Sequence, residues 1–257
     1  MEVNTQSPTS SQADDHDHGH SKHLAHHFDD VHQQFDTGKF GMWMFLLTEV
    51  MFFAGLFVLY AVYRSNHPEA WQFAAQFLDT KWGAINTVVL LVSSFTVAWA
   101  VRNAQLGETR KMLINLVITL LCAGGFMVIK YIEYSHKVHV GLVFPQLEHS
   151  LFNPNITAEA SAKLAAYEQG EVFHQIEALS AAERNWVGKF FSIYFCLTGL
   201  HGFHVLAGMV VLSWLILRGM RGDFGPDNFN AIDFGALYWH IVDLVWIFLF
   251  PLLYLIN

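Results

Sequence analysis

Residues 40–63 read FGMWMFLLTEVMFFAGLFVLYAVY, an unbroken apolar run whose single charged side chain is Glu49. A helix needs about 20 apolar residues to cross the hydrocarbon core of a bilayer, so this run is long enough. Four more apolar runs follow, at about residues 83–101, 112–129, 190–217 and 232–256. Strands would have to close into a barrel, and the alternating apolar and polar pattern of barrel strands is absent. The pattern predicts an all-α, polytopic membrane bundle of five transmembrane helices. No internal repeat is visible.

The rest of the 257-residue chain agrees. It is 53% hydrophobic and 14% charged, with Phe 23, Trp 8 and Tyr 8, and its mean hydropathy is +0.32. That balance excludes a disordered chain and a coiled coil. The formal net charge of −8 argues against a nucleic-acid partner. Cys122 and Cys196 both lie inside apolar runs, so no disulfide or zinc framework is on offer. Residues 1–39 form a polar tail rich in Ser, Gln, Asp and His, with neither the apolar core of a secretory signal nor the Arg-rich character of a transit peptide. Residues 40–257 make the five-helix domain, interrupted by an extramembrane insert at about 131–186.

Lysine and arginine in the short connections set the expected orientation. Arg102, Arg110 and Lys111 lie in the second connection and Arg218 and Arg221 in the fourth, on the same side as the N-terminal tail. The first connection carries only Arg64 and Lys81 over a longer stretch. The N-terminus is therefore expected in the cytoplasm and the C-terminus outside.

The third connection has turn and cap signals of its own. Asn153-Pro154-Asn155 reads as a turn, Thr157 as an N-cap with Glu159 in the first helical turn, and Ser180-Ala181-Ala182-Glu183 as a capping box that starts the fourth membrane helix early. Leu164, Tyr167, Val172, Ile176 and Leu179 follow at loosely helical spacing, interrupted by Gly170. This segment is either a solvated acidic insert or a docking surface for an extra subunit or an electron-donor protein.

Ionisable groups inside membrane helices are costly and mark functional candidates. Glu49 lies mid-way along the first helix, among Phe45, Met51, Phe52 and Phe53. Its charged form would be poorly solvated there, and the group could relay protons, orient a water, or bond a lipid headgroup or a carbonyl. His201 and His204 share one face of the fourth helix, and His240 and Asp243 one face of the fifth. Glu133 is expected just beyond the third helix, near Lys130 and Lys137. The His pairs could suggest a transition-metal or haem site. Interhelical hydrogen bonding is the preferred reading, with Asp243 the natural partner of one imidazole and Gly199, Gly202 and Gly208 allowing close helix approach. The tail from His16 through His27 could bind divalent metal weakly, or simply be solvated. No C-x-x-C-H haem attachment occurs.

Several of these stretches resemble subunit III of haem–copper oxidases. Residues 41–55 (GMWMFLLTEVMFFAG) look like that family's first core helix, and Asn86-Thr87 with Ser93-Ser94-Phe95-Thr96 like its next. Lys130-Tyr131-Ile132-Glu133-Tyr134 resembles the end of the third. The most specific likenesses are Thr198-Gly199-Leu200-His201-Gly202-Phe203-His204-Val205 and Tyr238-Trp239-His240-Ile241-Val242-Asp243-Leu244-Val245-Trp246. The resemblance implies a non-catalytic subunit with no redox cofactor of its own, since haem and copper belong to subunits I and II.

It further implies packing against subunit I, phospholipids held between helix groups, and support of proton and oxygen supply, with Glu49 at the buried carboxylate position. His201, His204, His240, Asp243 and Glu133 would be structural polar groups. The location implied is the bacterial inner membrane, in an oxidase fed by cytochrome c or by quinol. Three departures are expected: five helices where the mitochondrial version has seven, a longer third connection, and the His-rich tail. The competing class is a stand-alone transporter or metal-handling membrane protein. A transporter would more often show repeats and helices broken near the midplane, whereas the only intrahelical proline, Pro251, is near the end.

Overall fold

A computed structural model describes residues 31–166, 171–226 and 228–256. In chain order its helices are α1 (Val31–Asn66), α2 (Pro68–Ala75), α3 (Thr80–Gln105), α4 (Thr109–His139), α5 (Ala158–Ala166), α6 (Glu171–Glu177), α7 (Ala181–Met220) and α8 (Asn230–Tyr254). Five of them, α1, α3, α4, α7 and α8, are long and apolar enough to span a membrane. Among the described residues there is no strand.

The long helices overrun the expected apolar limits, and the reasons are local. α1 starts at Val31, so part of the polar tail is helical. α7 starts well before its apolar run because the capping box is present: Ser180 Oγ accepts from the Glu183 N–H at 3.3 Å, and Glu183 accepts from the Ser180 N–H at 2.9 Å. α4 runs to His139, which corrects the placement of Glu133. It lies within the helix, not beyond it, because Lys130, Glu133 and Lys137 pair along one face and can be buried there. The helix stops at Gly141, whose φ of 81° is open to glycine at little strain. The Leu142 N–H reaches back to the Lys137 carbonyl at 3.0 Å, closing the turn.

α3, α4, α7 and α8 form the packed bundle, with α1 leaning on α8 and α7. At one crossing Gly208 lets the Trp239 ring lie directly on α7. The Tyr60 hydroxyl of α1 donates to the Leu252 carbonyl of α8. Much of α1 faces outward: Trp43, Met51 and Phe52 are all more than half exposed.

The extramembrane connection is shorter than expected, because α4 occupies its beginning. It is not simply solvated. Leu142, Val143, Leu151, Phe152, Leu164 and Ile176 are buried in the common core, and Phe152 stacks on Phe191 of α7. Thr157 caps α5 as expected, its hydroxyl accepting from the Ala160 N–H at 3.3 Å. Tyr167, Gly170 and the histidines from His16 to His27 lie outside the described residues. The small helix α2 closes this end of the bundle, with Trp71 fully buried against Phe190 and Tyr63.

Candidate functional site

Three groups of polar side chains lie within the membrane-spanning bundle. The first joins α1 to α7. Glu49 Oε2 is 2.8 Å from His204 Nε2, and the two side chains are 20% and 13% exposed. His204 Nδ1 lies 2.8 Å from the Leu200 carbonyl, which can only accept, so Nδ1 carries a hydrogen. One proton then serves the contact with Glu49. Either an imidazolium donates to a carboxylate, or a carboxylic acid donates to a neutral imidazole. Both forms are neutral as a pair, which suits an apolar setting. Phe53 packs edge-on against the His204 ring at 5.2 Å, and the Tyr238 hydroxyl donates to the His204 carbonyl at 3.1 Å.

The expected surroundings of Glu49 are corrected here. Phe45, Met51 and Phe52 are 44%, 68% and 54% exposed, although the Phe45 ring still stacks on Tyr238 of α8 at 6.2 Å, and only Phe53 is buried. Phe45, Phe52 and Phe53 stand three or four residues from Glu49 and share its side of α1, where only Phe53 is fully turned into the bundle, whereas Met51, two residues on, lies about 200° round the helix. We expect Glu49→Gln to keep the link, its amide donating to Nε2, while losing the shared proton. Glu49→Ala leaves Nε2 without its partner, at about 1–3 kcal/mol. Thermal unfolding of the solubilised complex should therefore separate Ala from Gln, with Gln near wild type. Equal loss in both would show that the hydrogen bond is not what matters.

The second group joins α3 to α8. His240 Nδ1 is 2.7 Å from Ser94 Oγ. Ser93 Oγ accepts from the Trp239 indole N–H at 3.0 Å and lies 3.3 Å from Asp243 Oδ2. Asp243 therefore meets a serine, and the expected imidazole partner is corrected. The His201 and His204 rings also diverge. His204 turns to α1, whereas His201 is fully buried between Phe126 and Trp246, at ring distances of 5.5 and 5.2 Å.

The third group sits towards the extramembrane end of α4. Glu133 Oε2 accepts from Lys130 Nζ at 2.8 Å, and Oε1 from Lys137 Nζ at 2.8 Å. Oε1 also accepts from Tyr194 at 2.8 Å and Tyr254 at 2.7 Å. Lys130 additionally donates to the Tyr254 hydroxyl at 2.8 Å and lies 4.9 Å over the Trp246 ring. Next to it, the Tyr134 and Thr198 hydroxyls are hydrogen-bonded. A cavity of about 260 Å³, bordered by Asp79, Trp82, Glu133 and Lys137, opens beside this cluster.

Sequence reasoning found the two lysines but missed Tyr194 and Tyr254. It also missed that Ser93 and Ser94 are the partners of α8. A serine pair facing an aromatic and acidic helix was the available signal.

Among the described residues, no three His, Cys, Asp or Glu side chains come together as a metal-binding group. Five spanning helices cross-linked by paired polar groups define a polytopic integral membrane protein. The chain belongs to the cytochrome c oxidase subunit III family, whose model matches residues 19–141 and 147–257. It is thus subunit III of a haem–copper oxidase, a chain that works with other oxidase subunits.

The match takes in the tail from residue 19 onward and crosses the extramembrane connection with a break at 142–146. A probable cytochrome c oxidase subunit 3 from Nocardia farcinica is 30% identical over 84% of this chain and 87% of its own length. A probable quinol oxidase subunit 3 from Staphylococcus saprophyticus is 28% identical over 91% of this chain and 96% of its own. A quinol oxidase subunit 3 from Bacillus subtilis is 28% identical over 87% and 91%.

Proposed function

We propose that the chain is the non-catalytic subunit III of a proton-pumping cytochrome c oxidase that reduces oxygen to water in aerobic respiration. Subunits I and II are its partners and carry the haems and copper, and phospholipids cover its apolar faces. The observation that carries this reading is the pairing of its intramembrane groups with one another: Glu49 with His204, His240 with Ser94, Glu133 with Lys130 and Lys137. Such groups brace a bundle and leave the redox chemistry to neighbours. The Glu49–His204 pair, partly exposed at the α1–α7 seam, is placed to support proton and oxygen supply to subunit I and to bond lipid.

The choice of cytochrome c rests on charge. The connection between α4 and α7 exposes Glu148, Glu159, Glu171 and Glu177 against Lys163. An acidic surface outside the membrane suits a soluble cationic carrier, whereas a quinol dissolved in the bilayer has no use for it. The Lys and Arg bias of the short connections puts this segment outside, with the N-terminus in the cytoplasm and the C-terminus in the periplasm of a bacterial inner membrane. The names of the Staphylococcus and Bacillus relatives favour quinol as the second reading. Oxygen uptake by the purified complex decides between them. We expect turnover with reduced cytochrome c that falls as ionic strength rises; turnover with quinol alone would overturn the choice.

A further inference from the structure

Three side chains at the centre of the bundle carry polar atoms that no described residue answers. His201 of α7 is 0% exposed, and neither Nδ1 nor Nε2 has a partner. Asn86 of α3 is also 0% exposed, and neither Nδ2 nor Oδ1 has one. Asp243 of α8 is 2% exposed, and its Oδ1 is likewise unanswered.

Trp246 places the three at neighbouring levels. Its ring lies 5.2 Å from that of His201. Its indole N–H donates to Thr87 Oγ1 at 3.1 Å, one residue from Asn86. Asp243 lies three residues back along α8, on the same helix face. The same ring has Lys130 Nζ 4.9 Å from its centre. From Lys130 the network runs through Glu133, Tyr194 and Tyr254 to the cavity bordered by Glu133 and Lys137.

Unanswered polar atoms are rare in folded interiors and costlier still where no bulk water reaches. Several on three residues from three helices, each linked to Trp246, point to a shared ligand. The set includes an imidazole, an amide and a carboxyl, which together need a partner that both donates and accepts. It is a poor set for a cation, because the Asn amide is a weak ligand and no metal-binding group forms among the described residues. Water satisfies all three and commonly makes two to four bonds in such sites.

We propose that Asn86, His201 and Asp243 bind a short chain of internal waters, which joins Asp243 past Trp246 to the Lys130–Glu133 network and so to the outer cavity. Subunit III then contains a hydrogen-bonded seam from mid-bundle to its extramembrane face, separate from the Glu49–His204 pair. The inference does not depend on the electron donor.

Radiolytic footprinting of the purified oxidase in water labelled with heavy oxygen tests it, because hydroxyl radicals made from a bound water oxidise the side chains beside it. Trp246, although fully buried, should take up label. The rate should fall several-fold in the double variant His201→Leu with Asn86→Leu, which removes four of the unanswered atoms. If that variant does not assemble, a wild-type density map that resolves other buried waters decides the matter. Ordered density within hydrogen-bond distance of His201 and Asn86 supports the seam. An unlabelled Trp246 in wild type overturns it, as do His201 and Asn86 bonded directly to protein groups.

Discussion

Replacing Glu133 with glutamine is expected to deplete the chain from the membrane. Lys130 and Lys137 both place Nζ 2.8 Å from the Glu133 carboxylate, and all three side chains are less than one-tenth exposed. The glutamine would keep the shape but take from two buried ammonium groups the carboxylate that bridges them. Breaking a buried ion pair by removing one partner costs about 3–5 kcal/mol, a large part of a domain's net stability. Tyr194 and Tyr254 would lose their charged acceptor at the same time. The triple variant Lys130→Met, Glu133→Leu, Lys137→Met removes every charge together and should recover much of the loss. Abundance in membranes and the unfolding temperature of the solubilised complex measure both. A Glu133→Gln chain as abundant and as stable as wild type would show that the two lysines are not held by this carboxylate.

The second large effect is steric. A Cβ on Gly208 would come 2.7 Å from two ring atoms of Trp239. That ring is fully buried and its N–H is tied to Ser93, so it cannot swing aside without breaking the α3–α8 contact. Gly208→Ala should therefore destabilise by about 1–3 kcal/mol, despite alanine's better helix propensity. Gly124 and Gly202 lie in α4 and α7, where an added Cβ would meet nothing within 4 Å. Alanine there should be neutral or stabilise by up to about 1 kcal/mol. Unfolding temperatures that rank the three variants in any other order would remove Gly208 as a point of close helix approach.

These residues also mark how far the sequence could be read. The five spans were legible because each apolar run is as long as a bilayer is thick. Helix limits were legible where a side chain caps, as at Ser180–Glu183, and not where charged residues continue a helix, as at Lys130–Lys137. There the apolar count falls although the i, i+3 and i+4 spacing of opposite charges favours the helix and lets its members be buried. Glu49 and His204 were each legible as costly intramembrane groups. Their pairing was not, because it joins helices separated by 155 positions, and no local spacing encodes which face of α1 meets α7. The same holds for Asp243 with Ser93. The extramembrane connection showed its caps, whereas the docking of Phe152 onto Phe191 depends on tertiary packing alone.

The most direct test is to purify the chain with its partners in mild detergent, record the visible spectrum, strip the chain away, and assay each fraction for iron and copper. The expected result is haem absorbance in the partner fraction and neither metal in stoichiometric amount on the isolated chain without its His-rich tail. One iron or one copper held tightly per isolated chain would contradict a bracing subunit whose His204 and His240 serve hydrogen bonds between helices.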